Sequence, residues 1–470
     1  MKSSRLIFIF SFLLSIVNGY AQNSSTQLRR LTASDGSFGD DLGTSVAIDG
    51  NFSLIGAPDD GDNGIGSGSA YLFNIITGNQ VTKFTADDGA IQDAFGWSVA
   101  IDGNFALIGA PDDDDNANGS GSAYLFDLTT GNQLFKFTAD VAMAGAAFGS
   151  SVALNGNWAI IGAPIELNSQ FNTGSAYIFD ITTGNQITKL APQGGGQFGA
   201  SVALDGNIAL VGARFDNELG IRSGSAYLFD VTTGQQIHKL LAEDGAAGDL
   251  FGVSVAISGN IALIGSSDDD DNGDFSGAAY TFNVATGEQL VKLIPTDGAE
   301  RDIFGTSVSI DTGIAIIGAR GDDDNGSSSG SAYFFNALNG EQIAKIYPND
   351  GESDDFFGEA VSIDGSRAII GARGDDFNGV FSGSAYVFEA PLLPDVVNLP
   401  QLDIHTDNDN FILTWKNLDP LEAKLMYTTD LRNPDSWLEV DALITVQEGI
   451  STVTVGEAES SIFYRLSYGQ

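Results

Sequence analysis

One four-residue string, Gly-Ser-Ala-Tyr, begins at Gly68, Gly121, Gly174, Gly224, Gly330 and Gly383, and recurs as Gly-Ala-Ala-Tyr at Gly277. The steps are 53 residues throughout except for one of 50. A second marker, Phe-Gly followed by x-Ser-Val, keeps the same phase at Phe95, Phe148, Phe198, Phe251 and Phe304. It appears as Leu42-Gly43 in the first copy and as Phe357-Gly358, followed by Glu-Ala-Val, in the last. Seven in-phase copies at this period restrict the chain to a solenoid, a propeller or an array.

The second copy shows what one unit makes. Residues 97–101 (Trp-Ser-Val-Ala-Ile) alternate, and Asp102-Gly103 supplies a hairpin signal. Residues 105–109, 122–126 and 133–137 complete four short strands, A to D, with an acidic loop between B and C. Four antiparallel strands per unit suit a propeller blade. The glycines before A and at the end of B are placed where neighbouring blades must approach closely. The last copy has no strand D after residue 388, whereas residues 27–33 (Gln-Leu-Arg-Arg-Leu-Thr-Ala) match a strand D upstream of the first A. An offset of that kind closes a ring and removes two sheet edges. The expected fold is all-β: a seven-bladed propeller over residues 27–389, a linker over 390–400, and a small β-sandwich over 401–470.

Residues 1–21 read as an export signal, with Lys2 and Arg5 before an apolar stretch over 6–17 and Gly19-Tyr20-Ala21 at the cleavage end. The stretch is short for a bilayer span, so the mature protein is expected to be secreted or held at a cell surface, and to be monomeric. With no cysteine there are no disulfides and no thiolate chemistry. A formal net charge of -42 makes nucleic acid a poor partner and basic surfaces or cations better ones.

The quoted residues resemble the FG-GAP repeat family, whose best-known members are the propellers of integrin α-subunits. Phe95-Gly96 and Gly109-Ala110-Pro111 carry both halves of its motif, and Gly56-Ala57-Pro58 and Gly162-Ala163-Pro164 repeat the second. The other copies drift to Gly-Ala-Arg at Gly212, Gly318 and Gly371, and to Gly-Ser-Ser at Gly265. The resemblance implies adhesion or extracellular recognition. The family's calcium loop lies between Phe-Gly and Gly-Ala-Pro, where this chain has only a short Ile-Asp-Gly-Asn turn, so those metal ligands are not carried over.

Strand parity puts the B–C and D–A loops on one face, with 37 of the 62 acidic residues. Within the B–C loops, Asp112-x-Asp114-x-Asn116 and Asp268-x-Asp270-x-Asn272 alternate oxygen ligands in the manner of calcium loops. Asp59, Asp60 and Asp62 in the first copy, and Asp322, Asp324 and Asn325 in the sixth, are partial versions. Ca2+ is the cofactor this pattern fits. The competing account is that Asp, Asn and Gly favour turns and that an acidic surface aids solubility.

No catalytic set emerges. His238 falls in a strand D and His405 near the C-terminal domain. The Asp127 to Gln133 turn resembles the Asp-x-x-Thr-Gly turn of quinoprotein propellers but lacks their following tryptophan. Where copies depart from their sisters, a ligand notch is a candidate: the third and fourth do so, with a shortened Gln193-Gly194-Gly195-Gly196 approach and Arg214 and Arg222 in an acidic rim. Simple loop degeneration is the competing account. The sequence therefore points to a binding protein for an extracellular protein or glycan. A propeller enzyme acting on polysaccharide and a purely structural surface component are the alternatives.

Overall fold

The computed structural model describes residues 25–168, 171–192 and 196–391, together with seven strands between residues 403 and 468. The chain divides into two compact units, Ala21–Leu392 and one that holds Leu393–Gln470. The expected signal, and the linker from residue 392 onward, lie outside the described residues.

The larger unit is built from seven four-stranded antiparallel sheets. In blade one, strands A (Ser45–Asp49), B (Phe52–Ala57), C (Ser69–Asn74) and D (Asn79–Phe84) hydrogen-bond in that order, and the later blades repeat it. Each strand A touches the strand A of the next blade, and the first touches the seventh, so the A strands surround the axis and the ring is closed. The seventh blade takes its outer strand from the N-terminus. Gln27–Leu31 pairs antiparallel with Ser384–Glu389, with Arg30 opposite Tyr386 and Leu31 opposite Ala385.

Neighbouring blades cover both faces of the inner strands. Strand C is accordingly buried along almost its whole length, Ser122 to Phe126 for example, instead of alternating in and out. Strand D forms the outer edge and does alternate. The phenylalanine of each Phe-Gly pair fills the seam: Phe95 is fully buried and meets Tyr124 and Phe126 edge-on at 5.5 and 5.9 Å. That cluster also contains Leu54, Leu72 and Phe84 of the preceding blade.

The glycines of the motif are set by contact. A Cβ on Gly109 would stand 2.1 Å from the carbonyl oxygen of Gly149 in the next blade, and Gly56 repeats this with Gly96 at 1.9 Å. Beside them the Ser of x-Ser-Val donates across the seam, Ser98 Oγ to Gly149 O at 2.8 Å, in six of the seven copies. The seventh copy has Ala360 there. At the opposite ends of the strands the A–B turns are also linked, with Asp49 Oδ2 accepting from the Gly103 amide of the next blade at 2.6 Å. Asp364 closes that belt onto Gly50.

In the C-terminal unit, Asp403–Asp407, Asn410–Lys416, Ile450–Val455 and Thr445–Gln447 form one antiparallel sheet in that order. Leu438–Glu439, Ala423–Thr428 and Phe463–Tyr468 form a second.

Candidate binding face of the propeller

Both loop families share one face. Lys83 of strand D in blade one contacts Asp60 and Asp62 of the B–C loop and Asp35 of a D–A loop, at 2.8, 2.6 and 2.9 Å. The A–B and C–D turns meet on the other face, where the Ile75 amide donates to Asn51 O. The expectation that the whole acidic set projects from the loop rim needs correction. Twelve carboxylates are buried, seven in B–C loops and five in D–A loops.

The seven B–C carboxylates are Asp60, Asp113, Glu166, Asp216, Asp269, Asp322 and Asp375. Each accepts the hydroxyl of the tyrosine of Gly-Ser-Ala-Tyr, as in Tyr124 to Asp113 at 2.6 Å. In six blades the lysine of strand D completes the set, Lys136 to Asp113 at 2.9 Å and Lys345 to Asp322 at 2.7 Å among them. Arg30 of the closing N-terminal strand takes the lysine's place in blade seven, 3.7 Å from Asp375. Burial pushes the Asp60 carboxyl up, but hydrogen bonds from Lys83 and Tyr71 outweigh it and hold the group below its usual value. The same opposition, with Lys239, Ser225 and Tyr227 as donors, depresses Asp216. Sequence reasoning missed this set. Its signal was available: lysine, scarce in this chain, recurs 23 residues after the loop carboxylate and 12 after the tyrosine in six copies.

The five D–A carboxylates, Asp40, Asp93, Asp249, Asp302 and Asp355, cap their own turns. Asp249, for instance, accepts the Ala246 amide at 2.6 Å. Burial raises Asp40, Asp249, Asp302 and Asp355 to about 6, with the capping amide opposing it.

The residues expected to hold calcium separate accordingly. Asp60 and Asp322 face tyrosine and lysine, and Asp62 and Asp324 bind the same lysines at 2.6 Å. An ammonium thus stands where a cation would have to sit, and these residues do not fit a calcium ion. In blades two and five the alternation is out of phase with the fold. Asp113 and Asp269 point inward, whereas Asp112, Asp114, Asn116, Asp270 and Asn272 are exposed, as are Asp59 and Asn325. Asp268 is half-buried and accepts from Ser267 Oγ at 2.8 Å. Among the described residues no group of three or more His, Asp or Glu side chains could hold a metal ion.

Closer to the axis, sevenfold symmetry breaks. The residue after Gly-Ala or Gly-Ser at the end of strand B is Pro58, Pro111 and Pro164 in blades one to three, then Arg214, Ser267, Arg320 and Arg373. Arg320 Nη1 donates to both oxygens of Glu359 at 3.1 and 3.0 Å. Arg373 donates to Glu359 and, across the closing seam, to Asp41, both at 3.3 Å. Burial lifts Asp41 to about 6 against the pull of Arg373. Arg214 and Arg222, the two arginines expected to mark a notch, are brought together: their guanidinium carbons lie 5.3 and 4.6 Å from the centre of the Phe215 ring. Residues 193–195 of the shortened approach lie outside the described residues. His238 sits on the outer strand of blade four, its Nε2 3.2 Å from Ala285 O.

Seven repeats, each spanning strands D, A, B and C, are also what comparison with known proteins finds. The FG-GAP repeat profile matches residues 25–73, 79–126, 132–179, 185–229, 235–282, 288–335 and 341–388. The chain belongs to the FG-GAP repeat family, and its propeller is of the kind that serves as a ligand-binding domain. No curated protein sequence matches it.

Proposed function

We propose that this is a secreted or surface-displayed binding protein that recognises an extracellular protein or glycan through the loop face of its propeller, with a C-terminal β-sandwich as an appendage. The supporting observation is the charged mouth. Arg214, Arg320 and Arg373 stand at the ends of strand B in blades four, six and seven, where blades one to three carry prolines, and Asp268, Glu359 and Asp41 lie beside them. Blades one to three pack with proline at this position, so the repeat by itself does not call for all three arginines, although Arg373 also ties blade seven to blade one. The export-like N-terminus agrees with an extracellular setting. Among the described residues no helix is long and apolar enough to cross a membrane. The lysines already supply positive charge to the loop carboxylates, so calcium has no structural task in this reading.

An array of extracellular glycans and matrix proteins tests it, run with calcium and with chelator. Saturable binding is expected, persisting under chelation and lost when Arg320 and Arg373 are both replaced by alanine. Binding unaffected by that double variant, or turnover of an arrayed glycan, would overturn the reading.

A further inference from the structure

The three mouth arginines form an internal comparison. Arg320 finds its carboxylate 39 residues downstream at Glu359, and Arg373 finds Glu359 14 residues upstream and Asp41 in the next blade. The corresponding positions around Arg214 are Val253, Ala200 and Leu250. None of them carries charge. Arg214 Nε donates instead to Gln197 Oε1 at 2.7 Å, and no carboxylate among the described residues forms an ion pair with the guanidinium. The carboxylates of its own loop are committed elsewhere: Asp216 and Glu218 both bind Lys239. Asp268 lies near enough to act through space on both Arg214 and Arg320 but is hydrogen-bonded to Ser267.

A second observation is independent of the first. Arg222 stands over the same Phe215 ring as Arg214, so two guanidinium groups share one aromatic side chain, and no carboxylate among the described residues forms an ion pair with either. Its backbone is held there by the Asn217 side chain, Oδ1 accepting the Arg222 amide at 2.7 Å, at a φ of 58°. Two positive groups crowded together in a chain of net charge -42 make a local field that favours an anion. Burial draws Arg214 below its usual value against the pull of Asp268, which fits a guanidinium short of counter-charge.

Resting on the binding reading above, we infer that Arg214, backed by Gln197 and flanked by Phe215 and Arg222, is a recognition site for a single carboxylate on an otherwise neutral small molecule or terminal sugar. The sister arginines fix the chemistry, since both hold planar carboxylates, the geometry a guanidinium fork matches. The acidic surroundings fix the number of charges. A polyanion would be repelled by the exposed aspartates, whereas one carboxylate is met by two arginines.

The test is titration of the full chain, followed by ligand-observed NMR, with two matched pairs: benzoate against benzamide, and glucuronate against glucose. Saturable binding of a carboxylate member and none of its neutral partner is expected; the pair that responds tells whether the carrier is aromatic or a sugar. Arg214→Gln is expected to weaken binding about tenfold or more, the size of a lost charge-assisted contact. Val253→Glu should do the same by supplying from the next blade the carboxylate that Glu359 gives Arg320. It leaves Arg214 in place, so it answers the question even if Arg214→Gln folds poorly. Absence of binding by either acid, or unchanged affinity in both variants, overturns the site. If arrayed ligands still bind while these probes do not, only this inference falls. If the probes bind and the array is blank, the site stands and the wider reading fails.

Discussion

The aspartate–tyrosine–lysine set shows how a single residue ties an acidic loop to the sheet. Asp269 is buried and accepts from Tyr280 at 2.6 Å, while Lys292 reaches it at 2.9 Å with most of its side chain covered. Removing one partner of such a pair strands a buried charge, which costs more than the pair contributes. Lys292→Met is expected to lower stability by about 3 kcal/mol, and Tyr280→Phe by about 1 kcal/mol, because the carboxylate then keeps its ammonium. Adding Asp269→Asn to Lys292→Met should restore part of the loss. Denaturant unfolding of the two single variants and the double variant measures this, and equal losses for Lys292→Met alone and with Asp269→Asn would show that the pairing is not the cause. Tyrosine and lysine were visible in the sequence as repeated letters, yet their role was not. The partners lie 11 and 23 residues from the aspartate, and only strand pairing makes them adjacent. The phase error in the calcium reading has the same origin. Alternation within Asp-Asp-Asp-Asp cannot tell which carboxylate turns inward until the tyrosine that receives it is placed.

At the scale of the strand, the repeat was legible because each motif residue answers to one contact. Phenylalanine fills a seam, serine bridges it, and glycine admits a carbonyl. Even the offset N-terminal strand could be read, since its letters matched strand D and a ring leaves only one vacant edge for it. What the letters did not show is the even burial of strand C, which depends on blades packing from both sides. Two glycines separate close approach from backbone conformation. Gly109 has an ordinary φ but no room for a Cβ, whereas Gly103 has a φ of 56° and open space around it. Gly103→Ala is expected to cost about 1 kcal/mol, the left-handed penalty alone. Gly109→Ala must move a neighbouring blade and should cost about 3 kcal/mol. Thermal unfolding of the two variants side by side checks the ranking, and equal midpoints would mean that the seam yields more readily than its 2.1 Å approach implies.

For the molecule as a whole, ring closure and charge act against each other. The Gly50–Asp364 and Arg373–Asp41 bonds fasten blade seven to blade one, at the seam where Ala360 forgoes the serine bridge. The excess of carboxylates over lysine and arginine in the seven repeats meanwhile favours expansion of the ring. The pH dependence of folding follows from which carboxylates the ring holds uneasily. Asp40, Asp41, Asp249, Asp302 and Asp355 have folded values raised to about 6 from 3.8. Above pH 6 they are ionised in both states and burial penalises the folded one. Between about 6 and 4 the folded chain binds the additional protons, so acidification removes the penalty and relieves repulsion at once. Asp60 and Asp216 are depressed and work the other way, contributing stability that is present above 3.8 and lost as pH falls through their folded values. The thermal midpoint is therefore expected to rise from pH 8 to about pH 5 and to fall again below about pH 4. Replacing Asp249 and Asp302 by asparagine should flatten the upper limb, because the amide still caps the turn through its oxygen without a charge to bury. A midpoint that declines steadily from pH 8 downward would mean that the lysine pairs dominate the whole range and that the turn-capping aspartates are ionised without penalty.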